Sequence, residues 1–462
     1  MPDQRYVINV LDEREPVGDS SFLSRPFLIA YGGFLVVMAS LTFAIPSVQD
    51  FAMLVRWPAL GVMSLLGLYQ FLRSRCWELG KPRIALVGLI ALAFASMSHA
   101  SDPAYSGGRA LSITLLFFAT MLGVENYCRR RENAEAFADL WWVLGTAFLL
   151  GGILLRVKQG STSGRYEGLH DRATGAGTFA ALLLPIAIHH ARFRFKGGFK
   201  VLAWGVVGLV FAQLILAGAR TALLTSFFIA VLLWFSFYGK TAILGLLLAG
   251  LAFAIPPLID ARRAEAIRDR GERILRRESI VNFTGRRDRW KFGLEQFWRK
   301  PLLGHGFGAS RTLASQEEPW RFRAEPGEVV NLHSDQIEVL ADLGVLGYSA
   351  FACFWLAVLG AGARLFLQPG SPRRDLGLAY FGGVLYAFVD TFMHGGFLAA
   401  GGGVSAFTWT TAAAFLGVQA CSEQVLAVIP KELEHGDGRL FSTHRRLRVN
   451  RATLPSARQV MG

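Results

Sequence analysis

Residues 201–238 read VLAWGVVGLVFAQLILAGARTALLTSFFIAVLLWFSFY. Two apolar runs stand back to back, each close to the roughly 20 residues that carry a helix through bilayer hydrocarbon. Only Gly218, Ala219 and Arg220 part them. The chain repeats this pattern along its 462 residues, of which 52% are hydrophobic and only 18% charged, with a mean hydropathy of +0.37. That composition excludes a soluble enzyme and describes a polytopic membrane protein. In hydrocarbon every backbone N–H and C=O needs an internal partner, so the expected class is all-α.

Working outward from this hairpin, twelve spans are expected, near 26–45, 51–72, 84–98, 110–125, 138–155, 173–188, 201–217, 221–238, 241–258, 334–363, 376–394 and 402–420. Residues 1–25 then form an N-terminal tail, 26–258 hold spans one to nine, 259–332 form a large loop, 333–420 hold spans ten to twelve, and 421–462 form a basic tail. Alternate connections are basic (RSRCWELGKPR, CRRREN, HHARFRFKGGFK, YGKT, RLFLQPGSPRRD), whereas SVQD, SHASDPAYSGG and GGFLAAGGG hold no Lys or Arg. Under the positive-inside rule both termini are cytoplasmic. The first 25 residues hold five acids and lack the basic start and short apolar core of a signal peptide. The basic tail suits anionic membrane lipid.

A net charge of +14 would suit nucleic acid, but no nucleic-acid module is present, so none is expected as a partner. Cys76, Cys128, Cys353 and Cys421 show no paired spacing, so neither a zinc site nor a disulfide framework is indicated. Where the arginines lie matters more. The loop 259–332 is on the outer side yet carries 16 Lys and Arg against 11 acids, and Arg165, Arg172 and Arg220 fall on that side too. Long loops escape the charge rule, which permits this excess without explaining it. Lipid headgroups account for any single such arginine; a cluster points to a bound anion.

Within IVNFTGRRDRWKFGLEQFWRKPLLGHGFG, residues 280–308, Trp290, Leu294, Phe297 and Trp298 recur at helical spacing after Arg286. An amphipathic helix is expected there, capped by Thr284 or Asn282. Arg286, Arg287 and Arg289 crowd its first turn, where they oppose the helix dipole unless an anion sits there. GHGFG at 304–308 offers backbone N–H groups to a phosphate, although glycines after proline more often mark a turn. His305 within it reads as a bystander.

His333 opens the tenth span at the outer surface, with Gln336 on its face and Glu338 and Asp342 forming an i, i+4 pair into the span. Alone, it would be an exposed polar cap. Beside a basic anion site it is a proton acceptor suited to group transfer from a phosphate leaving group. Asp390 and His394, four apart at the outer end of the eleventh span, either join this pocket or tie helices together. His189 and His190 lie on the other side.

The residues resemble the O-antigen ligase superfamily, which includes lipopolysaccharide O-antigen ligases and O-antigen or exopolysaccharide polymerases. Gly285, Arg286 and Trp290 match a Gly-Arg-x-x-x-Trp element, and Arg220 follows a glycine at a span top. His333, Ser334, nine residues, Gly344 and Gly347 match the family's histidine element. Arg165 and Gly168 resemble an arginine-glycine element, but HDRATGAG replaces the asparagine-rich continuation.

The resemblance implies a glycosyltransferase of the bacterial inner membrane with its active site on the periplasmic face. It would move a glycan from undecaprenyl pyrophosphate to lipid A-core or to a growing glycan. His333, Arg220 and Arg286 are implied as catalytic and Arg165, Arg220, Arg286 and Arg287 as pyrophosphate-binding; Trp290 of the Gly-Arg-x-x-x-Trp element, together with Gln336, Asp390 and His394 from their spacing, are expected as supporting residues. Neither metal nor cofactor is expected. The histidine spacing favours ligase, with polymerase as the alternative. A transporter would need charges deep in several spans, which beyond Arg56, Asp342 and Asp390 carry almost none. A membrane scaffold would not need arginines gathered opposite a histidine.

Overall fold

A computed structural model describes residues 21–43, 45–74, 80–159, 169–170, 173–238, 286–318, 322, 329–367, 374–399 and 402–428. The helices in chain order are α1 (Ser21–Ser40), α2 (Pro46–Ser74), α3 (Lys81–Ala95), α4 (Pro103–Phe117, running on to Cys128), α5 (Arg131–Gln159), α6 (Ala173–His189), α7 (Gly197–Ala217) and α8 (Arg220–Tyr238). There follow α9 (Arg286–Arg299), α10 (Ala309–Glu317), α11 (Asp335–Leu367), α12 (Arg374–Met393) and α13 (Gly403–Val428).

Among the described residues nine helices are long and apolar enough to cross a membrane: α2 to α8, α11 and α12. These coincide with nine of the twelve expected spans. The expected first span is the shorter apolar helix Arg25–Ser40. The twelfth is α13, which packs against α1, α6 and α12 but is not among the nine. The ninth, 241–258, lies outside the described residues.

Burial sorts the bundle. The spans built on α6 and α12 are 89% and 72% buried, whereas those of α2, α5 and α8 are only 28% buried, so α6 and α12 form the centre and the others a lipid-facing ring. Close approach at the centre needs small residues: a Cβ on Gly382 would meet Pro185 and Ile229 at about 3 Å, and one on Gly177 would meet Ala219. The spans hold more charge than the sequence suggested. Arg83 (1% exposed) and Glu125 form a bidentate pair between α3 and the end of α4. Arg109 lies over Phe307, 4.9 Å from the ring centre.

One break in a helix shapes the molecule. At Gly344 (φ 62°, ψ −161°) the backbone of α11 leaves helical geometry, and the groups this frees would be unsatisfied without new partners. The turn 301–306 supplies them. Val345 N–H donates to Pro301 O (2.8 Å) and Leu346 N–H to Leu302 O (3.4 Å), while Ala341 O and Asp342 O accept from His305 N–H (3.1 Å) and Gly306 N–H (2.8 Å). Only glycine fits: a Cβ at Gly344 would collide with the Leu302 carbonyl. The glycine of the histidine element thus docks the loop onto α11.

Candidate functional site

The site forms where the N-terminus of α9, the start of α11 and the end of α12 meet. On α9 the buried residues are Phe292, Gly293 and Gln296. Phe292 joins Ala314, Val330 and Leu332 in a small core of its own. Gly293 lets α9 close on Leu332 and Ile337. Of the expected apolar stripe, Leu294 and Trp298 are 41% and 73% exposed and point away from the protein. Trp290 is half-buried.

Three acids one turn apart on α11 are spent on architecture. Asp335 accepts Phe397 N–H (2.9 Å) and Leu398 N–H (3.3 Å), fixing the chain after α12. Glu338 receives Arg311 through Nε (3.0 Å) and Nη2 (2.8 Å) and also accepts Leu332 N–H at 3.2 Å. Asp342 accepts Gly308 N–H (2.7 Å) and Ser310 N–H (2.8 Å), so its carboxylate caps the N-terminus of α10. Burial alone would lower the Arg311 guanidinium, but Glu338 outweighs it and the net shift is upward. Gln336 is likewise structural, donating to Thr391 Oγ1 at 2.7 Å.

The GHGFG turn does not hold a phosphate. Its N–H groups go to Lys300 O, Ala341 O, Asp342 O, Ser96 Oγ and the Asp342 carboxylate. His305 bonds Gln296 O at 3.0 Å, and burial lowers its affinity for a proton. His189 and His190 pair with Asp375 and Asp139, away from the site.

At the centre stands His333, the one described non-glycine residue with positive φ (58°). Asn331 holds this strained backbone by accepting His333 N–H on its side-chain oxygen at 2.6 Å. Arg289 fixes the same loop from α9, donating from Nη1 to Asn331 O. Burial, then Arg289, Arg286, His394 and Arg311, push the His333 imidazole down to about 4. At neutral pH it is an uncharged ring facing cations.

Arg286 comes from the first turn of α9. Its Nη2 lies 3.2 Å from His394 Nε2 and its Nη1 3.9 Å from Met393 Sδ. A guanidinium only donates, so His394 Nε2 must be the acceptor and the ring carries its proton on Nδ1. That proton points at Asp390 Oδ1, 2.6 Å away. Behind Asp390 the Tyr386 hydroxyl lies 3.3 Å from the same oxygen and 2.9 Å from Thr178 Oγ1 on α6. A continuous chain runs Arg286, His394, Asp390, Tyr386, Thr178. Burial lowers the Arg286 guanidinium, with Asp390 acting against it.

Arg220 opens α8 after Gly218, whose left-handed φ of 60° ends α7. Antiparallel register brings it to this end of the bundle: Arg374 on α12 reaches Ser236 O, Gly382 faces Ile229, and Gly177, next to Thr178, closes on Ala219. Arg287 is exposed on the outer side of the α9 turn. Arg165, Arg172, Gly168, Gly285 and the expected caps Thr284 and Asn282 lie outside the described residues. His170, just beyond that arginine-glycine segment, is buried and hydrogen-bonds Thr42 Oγ1 at 2.8 Å.

The structure therefore gathers His333, Arg286, Asp390 and His394, brings Arg220 to their level, and leaves Arg287 outside. Arg311, Asn331 and Tyr386 were not found by sequence reasoning. Tyr386 had a readable signal, one helical turn before Asp390; Arg311 sits on the short helix α10 and Asn331 in the irregular stretch before α11, neither with a sequence period to mark it. Among the described residues no three His, Cys, Asp or Glu side chains converge as a metal site, and the cations present are guanidiniums.

Residues 205–352 match the sequence profile of the O-antigen ligase family. The matched stretch runs from α7 through the Gly344 break and contains Arg220, Arg286, His333 and Gly347. It bears out the resemblance drawn from those elements. No curated protein matches the chain.

Proposed function

We propose that the protein transfers a glycan from undecaprenyl pyrophosphate to an acceptor hydroxyl at the periplasmic face of the bacterial inner membrane, with lipid A-core as the acceptor and O-antigen ligase as the activity. The observation that carries this reading is the convergence of Arg286 and Arg289 with an uncharged His333 beside a partly open imidazole. Guanidinium forks match phosphate oxygens, and in a water-poor site they offset the charge that develops as pyrophosphate leaves. Arg286 and Arg220 bind the pyrophosphate, Arg287 and Arg165 add outer contacts, and Trp290 supports the α9 turn. His333 orients the attacking hydroxyl or takes its proton. A single displacement inverts the anomeric carbon. The arginines hold the charge that a divalent cation neutralises elsewhere, so chelators leave the rate unchanged.

The test uses purified protein in lipid vesicles with a defined undecaprenyl-pyrophosphate glycan, with and without lipid A-core. One core-dependent product supports the ligase, and a core-independent ladder identifies a polymerase instead. Absence of product with either acceptor overturns the transfer reading. Arg286→Ala is expected to lose about 100-fold or more in kcat/KM, as for loss of one preorganised charge-stabilising donor.

A further inference from the structure

His333 is a poor place to leave a proton. Arg289, Arg286 and Arg311 face it as charges that oppose an imidazolium, and among the described residues no carboxylate is a hydrogen-bond partner of it: its backbone N–H goes to Asn331, and the acids nearby are engaged by Arg311 and by backbone N–H groups. His394 is set differently. Its Nδ1–H meets Asp390 at 2.6 Å, and Asp390 is 6% exposed and backed by Tyr386. A carboxylate behind Nδ1 fixes the tautomer, aims Nε2 outward and stabilises an imidazolium formed there. The His394 side chain is 23% exposed, so Nε2 can be reached once Arg286 is moved.

Among the described residues the hydrogen-bond partners of Arg286 are uncharged, a ring nitrogen at 3.2 Å and a thioether at 3.9 Å. A phosphate offers full negative charge and two oxygens in the geometry of the guanidinium fork, which a neutral ring nitrogen and a thioether do not, so a pyrophosphate outcompetes them for the guanidinium. The Asp390–His394 pair and Tyr386 lie outside the stretch 205–352 that matches the family, so their assignment comes from geometry alone.

From this arrangement we propose that His394, held by Asp390, takes the proton of the acceptor hydroxyl, and that Arg286 covers His394 Nε2 until a pyrophosphate draws it away. The proposal rests on the glycan-transfer reading. In the step, the acceptor O–H bond breaks, its proton goes to Nε2, and its electron pair forms the bond to the anomeric carbon. The bond from that carbon to the phosphate oxygen breaks, and its pair leaves with the lipid pyrophosphate. The product lipid gains one negative charge and His394 one positive charge; His394 then releases its proton to water. His333 becomes a positioning residue for the hydroxyl. Because the base is uncovered only by donor, no proton is removed from an acceptor that arrives first.

Two measurements test this, one independent of turnover. In 15N-histidine-labelled protein in nanodiscs, with the His394 signal assigned by its loss in His394→Gln, inorganic pyrophosphate is expected to shift the Nε2 resonance as its bond from Arg286 is lost. Arg286→Ala should show the shifted position from the start and no response. In the vesicle assay, His394→Ala should lower kcat about 100- to 1,000-fold, the range of general-base catalysis, with donor KM within about threefold. Added imidazole should restore turnover.

A raised KM at unchanged kcat would make His394 a mere holder of Arg286 and overturn the proposal, as would wild-type kcat or a resonance blind to pyrophosphate. Should wild type form no product while the resonance still responds, the transfer reading and the proton step fall and the cover over His394 stands.

Discussion

Arg311→Met is expected to damage the site through Glu338. Arg311 Nε and Nη2 both donate to Glu338 Oε2, at 3.0 and 2.8 Å, with side chains only 10% and 2% exposed, and Arg311 Nη2 also donates to Gly395 O at 3.2 Å. Removing the guanidinium leaves a buried carboxylate whose other partner is Leu332 N–H, and breaking such a pair from one side costs about 3–5 kcal/mol. Glu338→Gln keeps the shape and an acceptor for Leu332 but strands the Arg311 charge, for about 2–3 kcal/mol. The double variant carries neither charge and should lie closer to wild type than Arg311→Met does, a coupling of about 1.5 kcal/mol or more. Unfolding in detergent micelles titrated with SDS, followed by circular dichroism, reads all four proteins. Effects that add to within about 0.5 kcal/mol would show that the pair is not a unit, and a wild-type curve for Arg311→Met would refute the argument altogether.

Three further outcomes follow from the geometry. The His333 imidazole should titrate near 4 rather than 6.5 by histidine NMR, and bound pyrophosphate should raise that value by offsetting the arginines; a midpoint near 6.5 in the free protein contradicts the cationic surroundings. Because the folded value is lowered, the unfolded chain binds more protons between pH 6.5 and 4, so stability falls as pH drops through that window and is intact above it. The loss is at most about 3 kcal/mol, less after solvent screening; a flat profile for wild type relative to His333→Gln speaks against it. Gly344→Ala should greatly reduce folded yield, since φ of 62° and the Leu302 carbonyl both exclude a side chain, whereas Gly360→Ala, with open space at its Cβ, should express normally. Arg289→Ala should reduce kcat about tenfold or more by freeing the Asn331 loop, a charge-assisted bond of about 1.5–3 kcal/mol, and Arg287→Ala by less; the reverse order would place the anion on the outer side of α9.

Much of the fold was legible because hydrophobic length is a local property. A run of about 20 apolar residues has few outcomes other than a membrane helix, so nine expected spans recur, among the described residues, as helices long and apolar enough to cross. The spacing from His333 to Gly344 was also readable, but its reason was not: the glycine breaks α11 so that residues 301–306 can dock. The same holds for GHGFG, where spacing suggested a phosphate cradle and the structure spends each N–H on Lys300, α11 and Ser96. Periodicity on α9 marked an apolar stripe but not its direction. The protein buries Phe292 and Gly293 and leaves Leu294 and Trp298 exposed.

The sequence by itself determined that this chain spans a membrane many times, that arginines crowd the segment ahead of His333, and that His333 sits at a helix start. These follow from composition and spacing, which do not depend on what the chain folds against. Which acid serves which purpose was decided by tertiary structure. Asp335, Glu338, Asp342 and Asp390 are all carboxylates near one end of the bundle, and in sequence they are equivalent candidates. Three of them face backbone N–H groups or Arg311 and hold loops in place. Asp390 faces His394, because packing of α12 between α6 and α11 sets which neighbours lie within hydrogen-bond reach.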